Sequence, residues 1–119
     1  MNNSVIIDGG RSPIGLKNGK LLGMRSDDLC SDVIKQLLDR NNNIDKELYD
    51  DLVLGCAFPE GSQGMLISKG VAILSDLPTT TAAKVVNRFC GSSMDAVHQI
   101  SSHVESDDID FGLAGGVED

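Results

Sequence analysis

The sequence contains no tryptophan, one tyrosine and only three phenylalanines. A core built from it must be aliphatic, and a row of rings for stacking single-stranded nucleic acid is excluded. Long apolar runs are missing too. None approaches the roughly 18 residues a membrane span needs, so no transmembrane segment is expected. Cysteines are few and odd in number: Cys30, Cys56 and Cys90, with long spacings and no CxxC pair. Neither a disulfide framework nor a zinc site fits them, and a reducing compartment is expected. The start, Met1-Asn2-Asn3-Ser4, has neither a basic segment nor a long apolar one, so no secretory signal is expected and the address is cytoplasmic. The Asn2-Asn3-Ser4 sequon carries no weight without such a signal. Basic residues are scarce as well, 10 against 18 acidic, for a net charge of −8. Residues 1–25 hold four basic groups and one acidic; all the excess acid lies beyond them. A surface this acidic repels a phosphate backbone, which argues against DNA or RNA as a partner. The short basic segment reads as a solvated loop.

What is present is an ordinary globular composition. With 119 residues and 40% hydrophobic content, the chain suffices for one domain, residues 1–119. Val5-Ile6-Ile7, closed by Asp8-Gly9-Gly10, reads as a buried strand. A Gly- and Pro-containing loop follows. Ser26 then stands as a hydroxyl cap before Asp27 and Asp28, two acids suited to the positive end of a helix. Leu29, Val33 and Leu37, with Ile34 and Leu38, recur at four-residue spacing and give that helix one apolar stripe, ended by Asn41-Asn42-Asn43. Leu52-Val53-Leu54 is a second strand. A second helix carries Leu66, Gly70, Ile73, Leu74 and Leu77 on one face before Pro78, with Gly70 allowing close approach of a neighbour. Ala83-Lys84-Val85-Val86 is a third strand. A third helix has the stripe Met94, Val97, Ile100 or Ser101, and Val104. Phe111 to Ala114 is a fourth strand, closed by Gly115-Gly116. The order β-α-β-α-β-α-β, with strands that are apolar rather than alternating, predicts an α/β fold with a mostly parallel sheet covered by helices.

The chemistry concentrates in Val86-Asn87-Arg88-Phe89-Cys90-Gly91-Ser92-Ser93-Met94. A strand runs through a sharp turn directly into a helix, and Cys90 falls at the junction. Unpaired main-chain amides and the helix dipole favour thiolate there, the nucleophilic form. Gly91 leaves room beside the sulfur, and Ser92 and Ser93 offer small polar groups. Cys30 and Cys56 read as buried, inert thiols. A nucleophile needs a base, and the chain has only His98 and His103. On the same helix they lie about 12 and 20 Å along the axis from Cys90, out of reach. They read as packing or surface histidines. A serine triad on Ser92 or Ser93 fails for the same reason, and Asp95 and Glu105 read as helix-surface charges. No GxGxxG, P-loop or HExxH pattern is present. The residues therefore offer a nucleophile whose partner lies in another segment or another chain.

These segments resemble the start of a thiolase, the group of acetyl-CoA acetyltransferases and 3-ketoacyl-CoA thiolases. Val5-Ile6-Ile7-Asp8 with Arg11-Ser12-Pro13-Ile14-Gly15 is similar to the family's opening strand and loop. Asp51-Leu52-Val53-Leu54-Gly55 is similar to its second strand. Val86-Asn87-Arg88-Phe89-Cys90-Gly91-Ser92-Ser93-Met94 resembles its V-N-[RK]-x-C-x-S nucleophile motif. Leu113-Ala114-Gly115-Gly116-Val117-Glu118 resembles its G-G-x-E motif. The resemblance implies that Cys90 is acylated by a CoA thioester and that its N–H helps stabilise an oxyanion. The reaction implied is thiolysis of a 3-ketoacyl-CoA or the reverse Claisen condensation, with an acyl-CoA substrate and no metal or redox cofactor. It also implies a homodimer or tetramer joined through the third-strand and nucleophile region. Family chains continue into a second half that supplies a G-H-P histidine, an N-x-x-G segment and a C-x-G cysteine, none of which occurs in these 119 residues. A second reading is therefore a truncated, noncatalytic interaction or dimerisation module of the same fold. A β-ketoacyl synthase shares the fold and a nucleophilic cysteine, but the Asn-Arg-x-Cys-Gly-Ser string favours thiolase. Ser68-Lys69 stands where the family commonly has Ala-Arg. Outer helices lacking the second half would leave apolar surface exposed, so self-association of the isolated chain is expected.

Overall fold

Leu52, Val53 and Leu54 are almost wholly shielded from solvent and form the middle of the central strand β1 (Asp51–Gly55). The structure, a computed structural model, describes residues 3–119; Met1 and Asn2, and so the acceptor of the sequon, lie outside it. Strand β2 (Ala82–Val86) and strand β3 (Gly112–Gly116) flank β1, giving the order β2-β1-β3 with every pair parallel. Asp51 is level with Ala82 on one side and Gly112 on the other. A parallel strand covered on both faces has no solvated face to mark with polar residues, which is why its sequence is a continuous apolar run.

Successive residues of β1 supply opposite faces of the sheet. Leu52 and Leu54 join a cluster with Ile34 and Leu38 of helix α1 (Ser26–Arg40) and Ile67, Val71 and Ala72 of helix α2 (Ile67–Leu74). Val53 joins Ala96 and Ile100 of helix α3 (Ser92–Glu105) on the other face. The α/β class and the parallel sheet expected from the sequence are thus present.

The strand count differs. Val5-Ile6-Ile7 forms no strand; its side chains are 79, 82 and 61% exposed. A strand needs partners for its main-chain groups. The arm makes no ladder with the outer edge of β2 or of β3, the two edges the sheet leaves open. The arm is tied at its ends to helices instead. Ser4 shares a 2.6 Å hydroxyl bond with Ser101 and donates to Glu105. The Asp8 carboxylate accepts from Arg40 at 2.7 and 2.9 Å and from Asn41 at 2.6 Å, which holds its pKa well below the usual carboxylate range. Arm, α1, α3 and the free edge of β3 border an open cleft of about 1280 Å³, which Cys90 does not line.

Two helix faces also differ from the periodicity reading. In α2 the residues turned inward are Ile67, Ser68, Val71 and Ala72, whereas Leu66 and Ile73 are at least half exposed and Leu74 is 40% exposed. This helix is apolar on nearly every side, so spacing alone cannot choose its core face. Gly70 lies on the outward side, and a Cβ there would meet nothing within 4 Å. It makes no close approach. Gly70→Ala should therefore stabilise the chain by about 0.5–1 kcal/mol through helix propensity, read as a raised unfolding midpoint in urea. In α3 the core residues are Ser92, Ala96 and Ile100, and Met94 is 62% exposed. Small residues at the start of α3 let the helix lie close on the glycine ends of the sheet.

Ser26 is buried but is the first helical residue rather than the cap; Arg25 holds the cap position, and the Ser26 hydroxyl bonds Ser62 at 2.6 Å. Asn41 does end the helix, its side chain donating to the Leu37 carbonyl. The Ser68-Lys69 pair has two separate outcomes. Lys69 donates to the carbonyls of Thr79 and Thr81 and so braces the link from α2 to β2. The Ser68 hydroxyl is fully buried and has no hydrogen-bond partner among the described residues. An unpaired buried hydroxyl costs about 1–3 kcal/mol, so Ser68→Ala should raise the melting temperature while Ser68→Val, by overfilling the site, should not.

Candidate active site

The turn that carries Cys90 begins where β2 leaves the sheet at Val86. Asn87 is its bracket. The Asn87 amide donates to the Ala57 carbonyl at 2.9 Å, and its side-chain oxygen accepts from the Phe89 N–H at 2.9 Å. Phe89 has φ = 47°, in the left-handed region. That conformation costs an L residue about 1–2 kcal/mol, and local hydrogen bonds offset it. The Ser92 hydroxyl supplies two, accepting from the Arg88 N–H at 2.8 Å and donating to the Phe89 carbonyl at 2.6 Å. A single 3-10 turn, Phe89–Gly91, then leads into α3.

Cys90 is exposed at this turn, two residues before α3 begins. This is the strand–turn–helix junction expected from the sequence. Space beside it is open: a Cβ on Gly91 would find only the Arg88 side chain, at 4.0 Å. The serines part company with the expectation. Ser92 is buried and its hydroxyl is committed to the turn, so only Ser93 stays exposed. Asp95 is not a free surface charge either. It pairs with Arg88 at 3.3 Å and accepts from Gln99 at 2.7 Å, fastening the Cys90 turn to the first turn of α3.

The other two thiols are shielded. Burial pushes Cys30 up to about 11. Cys56 is buried, and burial first, then the Glu118 charge, raise its pKa as well. The histidines stay apart from the sulfur in role. His98 is exposed on α3. His103 sits near the end of that helix, with Nε2 3.4 Å from Lys84 Nζ and Nδ1 3.3 Å from Asp108. Hydrogen bonds from Ser106 and then His103 lower the Asp108 pKa. No group of three or more metal-ligating side chains is found among the described residues.

Spacing gave no sign of a second bracket, which lies at the ends of the strands. The Glu118 carboxylate accepts from the Ala57 N–H at 2.7 Å and from the Gln63 amide at 2.8 Å. The same Gln63 amide donates to the Phe58 carbonyl, and its oxygen accepts from the Asp119 N–H. Residues 56–58 are thereby held between Glu118 on one side and Asn87 on the other. Glu118 stood out in the sequence only as part of a Gly-Gly-x-Glu string, and Gln63 not at all. Their meeting depends on β1 and β3 lying side by side.

The sequence pattern described as "Thiolase, N-terminal domain" matches residues 4–119. The chain is 41% identical over 118 residues, 98% of its length, to a 3-ketoacyl-CoA thiolase of Marinomonas sp. (strain MWYL1). It is 38% identical over 118 residues, 99% of its length, to a beta-ketoadipyl-CoA thiolase of Escherichia coli. A 3-ketoacyl-CoA thiolase of Saccharophagus degradans is 41% identical over 115 residues, 96% of this chain. The chain spans 29–30% of the length of these relatives. A match covering all but the first three residues, over a parallel α/β sheet with a cysteine turn at its end, places the chain in the thiolase family as its N-terminal domain.

Proposed function

We propose that this chain is the acyl-accepting part of a CoA-dependent acyltransferase, with Cys90 as the residue acylated. The observation that carries the reading is selective presentation: of three thiols, only Cys90 is exposed, and it is held on a braced turn entering a helix. In thiolysis the Cys90 thiolate attacks the 3-keto carbonyl of a 3-ketoacyl-CoA. The bond between that carbonyl and the adjacent carbon breaks, leaving an acyl thioester on Cys90, and the departing carbon takes a proton to become acetyl-CoA. The thiol of a second CoA then attacks the acyl-cysteine, restoring the free sulfur. The Cys90 N–H is the proposed oxyanion donor, since developing negative charge is stabilised by a fixed amide dipole. Electrons balance without a redox carrier, so CoA is the substrate carrier and no further cofactor is called for. Neither His98 nor His103 serves as the base, which the family resemblance assigns to segments beyond those described. The same resemblance supports a homodimer or tetramer joined through the free edge of β2, next to the turn, and a cytoplasmic address.

The test is intact-mass analysis and peptide mapping after incubation with acetyl-CoA. Acetylation confined to Cys90, abolished by Cys90→Ala, is expected in this chain and in a full-length relative. Acetylation of the relative alone, with this chain unmodified yet dimeric by sedimentation, would favour the second reading, a noncatalytic dimerisation module.

A further inference from the structure

The chain has four aromatic side chains, and the fold uses only two of them for its core. Tyr49 and Phe111 meet edge to face with ring centroids 4.8 Å apart. The other two, Phe58 and Phe89, are 61 and 65% exposed and yet lie against each other, centroids 6.0 Å apart and planes tilted by 40°. They come from different loops. Phe58 follows β1 and Phe89 follows β2, so the pair exists only because those strands end at the same level.

Nothing in the core explains this placement. Phe89 occupies a left-handed backbone conformation beside Cys90, although a smaller residue would suit that conformation better. The backbone at Phe58 and at the residue before it is held by side chains. The Phe58 carbonyl accepts from Gln63, and the neighbouring Ala57 is gripped by Glu118 and Asn87. Two rings on a fixed backbone lose little freedom on contact with a ligand. Exposed, adjoining apolar rings at a site mark a binding surface rather than a packing unit.

We infer that Phe58 and Phe89 form the surface on which the apolar chain delivered to Cys90 lies, making them determinants of chain-length preference. This rests on the reading of Cys90 as the acylated residue, and the occupant is a saturated acyl chain. A saturated chain suits the pair because it has no polar groups to desolvate on the ring faces. Phe89 is the residue next to the one exposed thiol in the chain, and Phe58 lies against Phe89, so the ring pair starts one residue from that sulfur.

The test separates the surface from the acyl chemistry. N-methyl-, N-butyl- and N-octylmaleimide alkylate a thiol without any CoA recognition. Their rate constants at Cys90, followed by intact mass and peptide mapping, should rise about tenfold from methyl to octyl beyond the rise seen with glutathione, as expected for a few partly buried methylenes. Phe58→Ala should remove most of that rise, Phe58→Leu should keep part of it, and the N-methyl rate should hardly change in either. A slope equal to that of glutathione, or unchanged in Phe58→Ala, overturns the inference. So does a Phe58→Ala variant that abolishes self-association by light scattering but keeps the slope, because the rings would then be a subunit contact. A steep slope that Phe58→Ala removes, with no acylation of Cys90 by acetyl-, butyryl- or octanoyl-CoA, would support the surface and defeat the acyl-transfer reading instead.

Discussion

Gly55→Ala should lower the melting temperature by roughly 10–20 °C, or prevent folding, although it adds one methyl group. The Cβ would collide with the main chain of Ser92 and Ser93 and come within 2.7 Å of the Ser92 Cβ. Main chain cannot rotate away as a flexible side chain can. Relief requires lifting the start of α3 off the end of β1. Overpacking of this kind costs about 1–3 kcal/mol, and more where backbone must move, against a total stability of about 5–15 kcal/mol. The damage reaches the site, because Ser92 also ties Arg88 and Phe89. Alkylation of Cys90 should therefore lose its dependence on reagent chain length together with the loss of stability. Gly70→Ala is the internal control: the same chemical change in open space, with the opposite sign expected. Thermal unfolding of both variants checks the pair. Equal, small effects would show that α3 does not depend on its seat against Gly55.

Raising the pH from 9 to 11 should destabilise the chain, with Cys30 as a principal cause. Burial moves its thiol from 9.0 to about 11 in the folded state. In the unfolded chain the thiol ionises first, near 9.0. Below that pH both states are protonated and the stabilising contribution is fully present. As pH rises towards 11, the unfolded state sheds its proton while the folded state retains it, and stability falls. Tyr49 and Cys56 are also pushed up by burial, so they act with the same sign. Urea unfolding at pH 8, 10 and 11 should show a falling midpoint, and Cys30→Ala should flatten the curve. The same displacement makes Cys30 slow to alkylate. A thiol with its pKa raised from 9.0 to about 11 holds about one hundredth of the thiolate at pH 8, before any loss of access is counted. Iodoacetamide at that pH should label Cys90 well ahead of Cys30 in the folded chain, and both thiols readily in urea. A stability curve that stays level up to pH 11 would show that Cys30 is not shielded as described.

Much of this architecture was legible from local signals. Leu52-Val53-Leu54 reads as a buried strand because its run is apolar without alternation, and Asn41 ends α1 as an amide able to cap a carbonyl. The placement of Cys90 at a junction was legible as well, because a strand run, a glycine and a helix start leave only one kind of connection between them. The errors fall where a local signal is ambiguous. Val5-Ile6-Ile7 has strand chemistry, but a strand is a relation between two segments, and the arm is tethered to α1 and α3 instead. The face of α2 was misread because Leu66, Ile73 and Leu74 are as apolar as Ile67, Val71 and Ala72. Ser68 faces inward despite its hydroxyl, against any reading from polarity.

Composition, spacing and motif order were enough for the class of fold, the aliphatic core, the place of the turn that carries Cys90 and the thiolase family. These are properties of short windows: composition, spacing and the chemistry of a few neighbouring residues. Three features emerge only once the chain is folded: Glu118 and Asn87 grip Ala57 from opposite sides, Gly55 must lack a side chain, and Phe58 meets Phe89 in the open. Each of those joins residues roughly 30 to 60 positions apart, whose distance is set by the parallel register of three strands and by how closely α3 lies on their ends.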